Sequence, residues 1–186
     1  MTELLPPKTA KEVLDFWFSE EVKPLWFKKS LEFDRKIYHN FFSTYELAAV
    51  NQLKDWQKTA EGTLALAIVL DQFPRNMFRN LARAFATDHL ARELARFALQ
   101  QNYDTVLSAE ERVFLYIPFM HSENIEDQQL AVKLYRNLGK ENNLQYAIQH
   151  KEIIERFGRF PHRNVVLKRN STEEEILFLA QPGSSF

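Results

Sequence analysis

Three stretches of the chain set strong hydrogen-bond donors beside aromatic surface. They are Leu70-Asp71-Gln72-Phe73-Pro74-Arg75-Asn76, Tyr116-Ile117-Pro118-Phe119-Met120-His121-Ser122-Glu123, and the run from Arg156 to Asn164, which holds three arginines, His162, two phenylalanines, Gly158 and Pro161. Arginine presents a planar five-donor fork that fits a carboxylate or a phosphate. Histidine, with an ordinary pKa of about 6.5, suits proton transfer near neutral pH. These residue types together describe a site for a small anionic molecule or an acidic peptide end. In that reading Arg75, Arg159 and Arg163 carry the negative group. Asp71, Gln72, Asn76 and Asn164 fix its orientation, and His121, Glu123 and His162 line the cavity. If a proton moves, His121 or His162 moves it, but the sequence names no reaction.

The same residues have a plainer reading. The arginines can pair internally with Asp71, Asp88, Glu123 or Glu155 and cap helix C-termini, leaving a protein-interaction scaffold. Other chemistries are weaker still. From Lys151 to Asn170 the basic residues Lys151, Arg156, Arg159, Arg163, Lys168 and Arg169 face only Glu152 and Glu155. With Phe157 and Phe160 as stacking partners this resembles an RNA surface. The net charge of -1 opposes it, as does the lack of a recognised RNA-binding motif, and no nucleic acid is expected. Ser122 beside His121 and Glu123 has the residue types of a nucleophile relay, but neighbours in sequence rarely reach the required geometry. His121, Glu123, His150 and His162 lack the dense spacing of a metal site, so no metal is expected. Glycines stand only at 62, 139, 158 and 183, so no phosphate-cradling loop is present and no cofactor is expected.

The elements that must position these groups are helices. The chain has 186 residues with 16 phenylalanines, 4 glycines and no cysteine. That composition suits one packed domain over residues 1–186, without disulfides. The start lacks a basic region followed by an apolar run, and no stretch approaches the ~20 apolar residues of a membrane span. A cytoplasmic protein with no membrane partner is expected. Capping boxes open helices at Thr9-Ala10-Lys11-Glu12, Ser108-Ala109-Glu110-Glu111 and Thr172-Glu173-Glu174-Glu175. Ser30 caps a helix running to about Asn51, and Thr87 caps one from Asp88 to about Gln101. Gly62 stands just before an apolar central helix over 63–72, which Pro74 ends or interrupts. A helix from Ser108 is disturbed at Pro118. Further helices cover 126–138, stopped by Gly139, and 141–157, stopped by Gly158. The fold class is all-α, with seven to nine helices.

Pro74, Pro118 and Pro161 stand 44 and 43 residues apart (118 − 74 and 161 − 118). Each closes an apolar helix in this reading. A period near 40 with two helices per unit is that of helical-hairpin solenoids. The expectation is a right-handed stack of antiparallel hairpins whose equivalent ends share one rim, which would gather the ten candidate residues.

The strings Leu70-Asp71-Gln72-Phe73-Pro74-Arg75-Asn76 and Arg156-Phe157-Gly158-Arg159-Phe160-Pro161-His162-Arg163-Asn164 are long and specific. With Asp15-Phe16-Trp17-Phe18, Trp26-Phe27, Ala84-Phe85-Ala86-Thr87-Asp88, Pro118-Phe119-Met120-His121-Ser122-Glu123, Asp127-Gln128, His150, Ser171-Thr172 and Phe186, the chain resembles the bacterial proteins grouped as domain of unknown function 924. These are similar in architecture to tetratricopeptide-like helical proteins. One departure is Lys168, where the family more often has glycine in a turn after Leu167. The resemblance implies an all-helical fold. It brings no established activity, so it assigns no catalytic residue.

Overall fold

The structure is a computed structural model and describes residues 5–184. Phe186 therefore lies outside the described residues, as do Met1-Thr2-Glu3-Leu4. Among the described residues the fold is all-α, with eight α-helices and no strand. They are α1 (Ala10–Trp17), α2 (Leu31–Ala49), α3 (Ala60–Met77), α4 (Asp88–Gln100), α5 (Ala109–Met120), α6 (Ile125–Leu138), α7 (Glu141–Phe157) and α8 (Glu173–Leu179). None is long and apolar enough to cross a membrane. The described chain divides into two compact units. One runs through Arg79 and resumes over Arg83–Pro118; the other takes Asn80–Ala82 and the chain from Phe119 onward.

The helix ends form where the local chemistry dictates. Thr9 and Thr172 each accept a hydrogen bond from the N3 amide, and the carboxylates of Glu12 and Glu175 accept one from the cap amide. Ser108 and Glu111 exchange the same pair of bonds. Gly139 and Gly158 end α6 and α7 in the left-handed conformation, at φ of 70° and 67°.

In the first unit α1, α2 and α4 pack around α3, which is buried without interruption from Gly62 to Pro74. Trp17 lies against Phe73 and Phe114 with ring centroids 5.6 and 5.4 Å away, and its carbonyl accepts from Trp26 Nε1 at 2.8 Å. Gly62 belongs inside this helix and not ahead of it. Thr59 is the cap and accepts from the Gly62 amide at 3.0 Å. A Cβ on Gly62 would collide with the Trp56 carbonyl, so glycine allows the 3-10 turn Lys54–Lys58 to lie against the helix start.

Pro74 neither ends nor interrupts α3, which continues to Met77. Proline has no N–H, so the Leu70 carbonyl one turn earlier loses its helical donor. The Thr87 hydroxyl supplies the replacement, donating to Leu70 O at 2.6 Å. This also corrects the expected role of Thr87. It stands at the N-cap position of α4, but its side chain makes no capping bond because its hydroxyl is committed to α3.

In the second unit α6 and α7 form a hairpin with a turn too short for anything but antiparallel neighbours. Ile153, Ile154 and Phe160 make a core cluster, with Phe157 and Phe178 against it. Proline does not play the same part in the three related segments. Pro74 and Pro118 lie inside the last turns of α3 and α5, whereas Pro161 opens a 3-10 turn, Pro161–Arg163, beyond the end of α7.

Two stability predictions follow from these backbone details. Thr87→Val keeps the side-chain shape but strands the buried Leu70 carbonyl. It should cost about 1–3 kcal/mol by urea unfolding, and an unchanged midpoint would show that the bond does not support α3. Lys168 occupies the left-handed region at φ of 56°, the position where the family resemblance leads one to expect glycine. Lys168→Gly should raise stability by up to about 1 kcal/mol by removing Cβ strain. Lys168→Ala, which keeps the Cβ, should bring no gain.

Candidate functional site

The ten residues singled out from the sequence fall into two clusters, one in each unit. In the first unit α3 carries four of them. The Asp71 carboxylate, fully buried, accepts from Gln72 Nε2 at 2.5 Å. Arg75 donates to the Asp71 carbonyl at 2.6 Å and clasps both oxygens of Asp88 at 2.8 and 2.9 Å. Burial works against the Arg75 charge, but the carboxylates of Asp71 and Asp88 outweigh it and hold its pKa above the usual arginine value. Asn76 turns to the other neighbouring helix, donating to Asp34 on α2 at 2.8 Å. Arg79 forks onto the same Asp34 carboxylate, with both bonds at 2.7 Å. This cluster is a set of charge-paired ties from α3 to its neighbours.

In the second unit the cluster is built around Phe160, whose side chain is fully buried. Its amide donates to Glu123 at 2.8 Å, and its carbonyl accepts from Arg169 at 3.0 Å. Arg169 also forks onto Glu123 at 2.8 and 3.0 Å and reaches Asn164 Oδ1 at 3.0 Å. Burial pushes the Glu123 carboxyl up, but the Arg169 guanidinium and the Phe160 amide hold it below the ordinary carboxylate range. Arg159 forks onto the buried Glu175 at 2.6 and 2.8 Å. The Thr172 amide and Asn164 Nδ2 add bonds to the same carboxylate at 2.8 and 3.2 Å. Hydrogen bonding from Arg159 is the main reason that Glu175 is drawn down to about 2.

The remaining groups surround the Phe160 ring. Arg163 is buried, with its guanidinium carbon 4.5 Å from the ring centroid, and it donates to the His121 carbonyl at 2.9 Å. His150 meets Phe160 edge-on at 5.5 Å, and His162 lies 5.6 Å from it on a tilted ring. His121 and His150 are 6.2 Å apart. The structure therefore brings together His121, Glu123, Arg159, His162, Arg163 and Asn164 in one unit, and Asp71, Gln72, Arg75 and Asn76 in the other.

Several partners were not legible beforehand. Asp34, Arg169 and Glu175 complete the two clusters and His150 joins the histidines, whereas Asp88 is one of the arginine partners expected from the sequence. Glu175 was visible only as the far end of a capping box. The basic run from Lys151 to Asn170 is largely neutralised in place. Of its six cationic residues Lys151, Arg156, Arg159 and Arg169 form ion pairs, with Glu155, Glu174, Glu175 and Glu123. Among the described residues no three His, Asp or Glu side chains are grouped so as to hold a metal ion.

The family model described as "Bacterial protein of unknown function (DUF924)" matches residues 13–183. The chain belongs to this family. A solved structure, that of the protein of unknown function ATU0120 from Agrobacterium tumefaciens, is similar to this chain at 43% identity. The match covers 92% of this chain and 96% of that one, with a TM-score of 0.88. No curated protein matches the chain. Family membership thus accounts for the fold while leaving the chemistry to the residues themselves.

His150 gives the cluster a measurable signature. Burial, followed by the charges of His121, Arg163 and His162, pushes it down to about 3 from the usual 6.5. Its Nδ1 faces the Tyr146 carbonyl at 2.7 Å, so in the neutral ring this nitrogen is the donor. The unfolded chain takes up this proton at higher pH than the folded one. The stability contributed by neutral His150 is thus complete above about pH 6.5 and is lost as pH falls toward 3. From this group alone the slope is about 1.4 kcal/mol per pH unit. Urea unfolding between pH 7 and pH 4.5 should show a shallower pH dependence for His150→Gln than for the wild type. Equal slopes would mean that His150 protonates freely in the folded protein.

Proposed function

We propose that this protein binds a small anion, a carboxylate or a phosphate, on the basic face of the second unit. The observation that supports this is the gathering of Arg163, His121, His150 and His162 at one aromatic ring. In this reading Arg163 supplies the planar fork. The half-buried His121 and His162 contact the ligand, and His150 stays neutral behind them. Arg159, Asn164 and Glu123 hold the turn in shape. Asp71, Gln72, Arg75 and Asn76 brace α3 and do not touch the ligand. A tetratricopeptide-like interaction scaffold is the competing reading. It draws support from the arginines already joined to carboxylates, Arg75, Arg79, Arg156, Arg159 and Arg169.

Thermal melts with inorganic phosphate and with citrate separate the two readings. A bound anion raises the melting temperature by mass action, by an amount equivalent to about 2.7 kcal/mol at a hundredfold excess over Kd. Arg163→Lys keeps the charge and loses the fork, so it should weaken binding about tenfold or more. His162→Gln should weaken it as well. If neither anion stabilises the wild type, or if both variants respond as the wild type does, the anion site is wrong.

A further inference from the structure

The first unit holds a cleft of about 300 Å³ that none of the ten candidate site residues lines. Its floor is Leu66 and Leu70 of α3, both buried. One wall is Leu90, Leu94 and Phe97 of α4, spaced to share a single helical face. The other comes from the end of α2 and the 3-10 turn after it, through Leu53 and Gln57. Backbone geometry keeps the walls apart. Asn51 leaves α2 in the left-handed conformation, at φ of 60°. The turn is then tied down by the Tyr103 hydroxyl, which donates to the Gln57 carbonyl at 3.4 Å, while the Tyr103 ring packs against Phe97 at 6.0 Å.

The rim carries one charge of each sign, Lys54 and Glu93, both exposed. Among the described residues neither is in an ion pair, although Asp55 and Lys58 in the same turn pair with each other at 2.8 Å. An apolar interior with a few polar groups at the mouth is the usual form of a small-ligand site, and this volume lies at the lower end of their range. It is far too small for a helix, which needs an extended groove. A fatty acid would satisfy Lys54 and be repelled by Glu93, and an apolar amine would do the reverse. A zwitterion with a bulky apolar group satisfies both.

We infer that this cleft binds a free apolar amino acid of the leucine or phenylalanine class. Its side chain lies on Leu66, Leu70, Leu94 and Phe97, its carboxylate meets Lys54 and its ammonium meets Glu93. The anion reading of the second unit plays no part in this, and either can fail alone.

The test is titration of the full chain with L-phenylalanine, L-leucine, 3-phenylpropionate and phenethylamine, followed by NMR shifts. Both amino acids should bind saturably to the wild type. Lys54→Ala and Glu93→Gln lie on the surface, and each should weaken L-phenylalanine up to about fivefold. The singly charged probes should respond in a crossed pattern. Lys54→Ala weakens phenylpropionate and leaves phenethylamine unchanged or tighter, and Glu93→Gln does the opposite. Leu90→Trp, checked for folding by circular dichroism, fills the cleft and should abolish binding of all four. The inference is overturned if neither amino acid gives saturable shifts with the wild type. It is equally overturned if Leu90→Trp binds them unchanged, or if the two charge variants affect both singly charged probes alike.

Discussion

A helix buried on every face must pair all of its backbone groups from within the protein, because no water reaches them. In helix α3 the condition is hardest to meet at Leu70, whose carbonyl Pro74 deprives of a helical donor. The Thr87 hydroxyl restores the pairing, and much of the first unit follows from where Thr87 must then stand. It fixes the start of α4 beside the last turns of α3. That placement puts Asp88 within reach of Arg75, which spans Asp88 and the Asp71 carbonyl. A short hydrogen bond between a loop hydroxyl and a helix carbonyl thus stands next in sequence to the salt bridge and shares its placement. The same placement lays Leu90, Leu94 and Phe97 opposite the end of α2, where the cleft opens.

The second unit meets a related constraint at a carboxylate. Glu123 and Glu175 are drawn out of full solvent contact, which is tolerable only with several charge-assisted bonds to each. Arg169 and Arg159 provide forks, and the Phe160 and Thr172 amides provide further donors. Glu123 joins the start of the unit to the turn after α7. Glu175 joins that turn to α8. Removing one partner from either set leaves a buried charge, so these pairs specify the path of the chain more than they add net stability. Phe160, buried between these two sets, then becomes the surface on which Arg163, His150 and His162 collect.

What the sequence made legible was what is decided within one helical turn. Thr9, Ser30, Ser108 and Thr172 cap helices, and Gly139 and Gly158 end them, because capping needs only residues three or four apart. The regular recurrence of apolar residues likewise gave the helical fold class. Less was legible where the partner is distant along the chain. Nothing local distinguishes a proline that stops a helix from one tolerated inside it, since Pro74 is tolerated only because Thr87 arrives from another segment. Asp34 reaches Asn76 and Arg79 across more than forty residues, and Glu123 reaches Arg169 across 46. The even spacing of Pro74, Pro118 and Pro161 pointed to one repeated role, yet the third proline stands outside its helix.

Arginine content was therefore a weak guide to a site until the carboxylates were assigned. Arg75, Arg79, Arg159 and Arg169 all fork onto an Asp or Glu in ways that explain their presence through folding alone. An arginine in such a fork has its directional donors occupied, and an incoming anion would have to displace a charge that burial makes costly to strand. Arg163 lies over the Phe160 face and donates to the His121 carbonyl, and the imidazoles of His150 and His162 lie against the same ring. Burial is the first cause that holds the His150 imidazole well below its usual pKa, and the charges of the groups around it act in the same direction. The proposed anion site therefore rests on the gathering of these groups around one ring and not on the count of arginines.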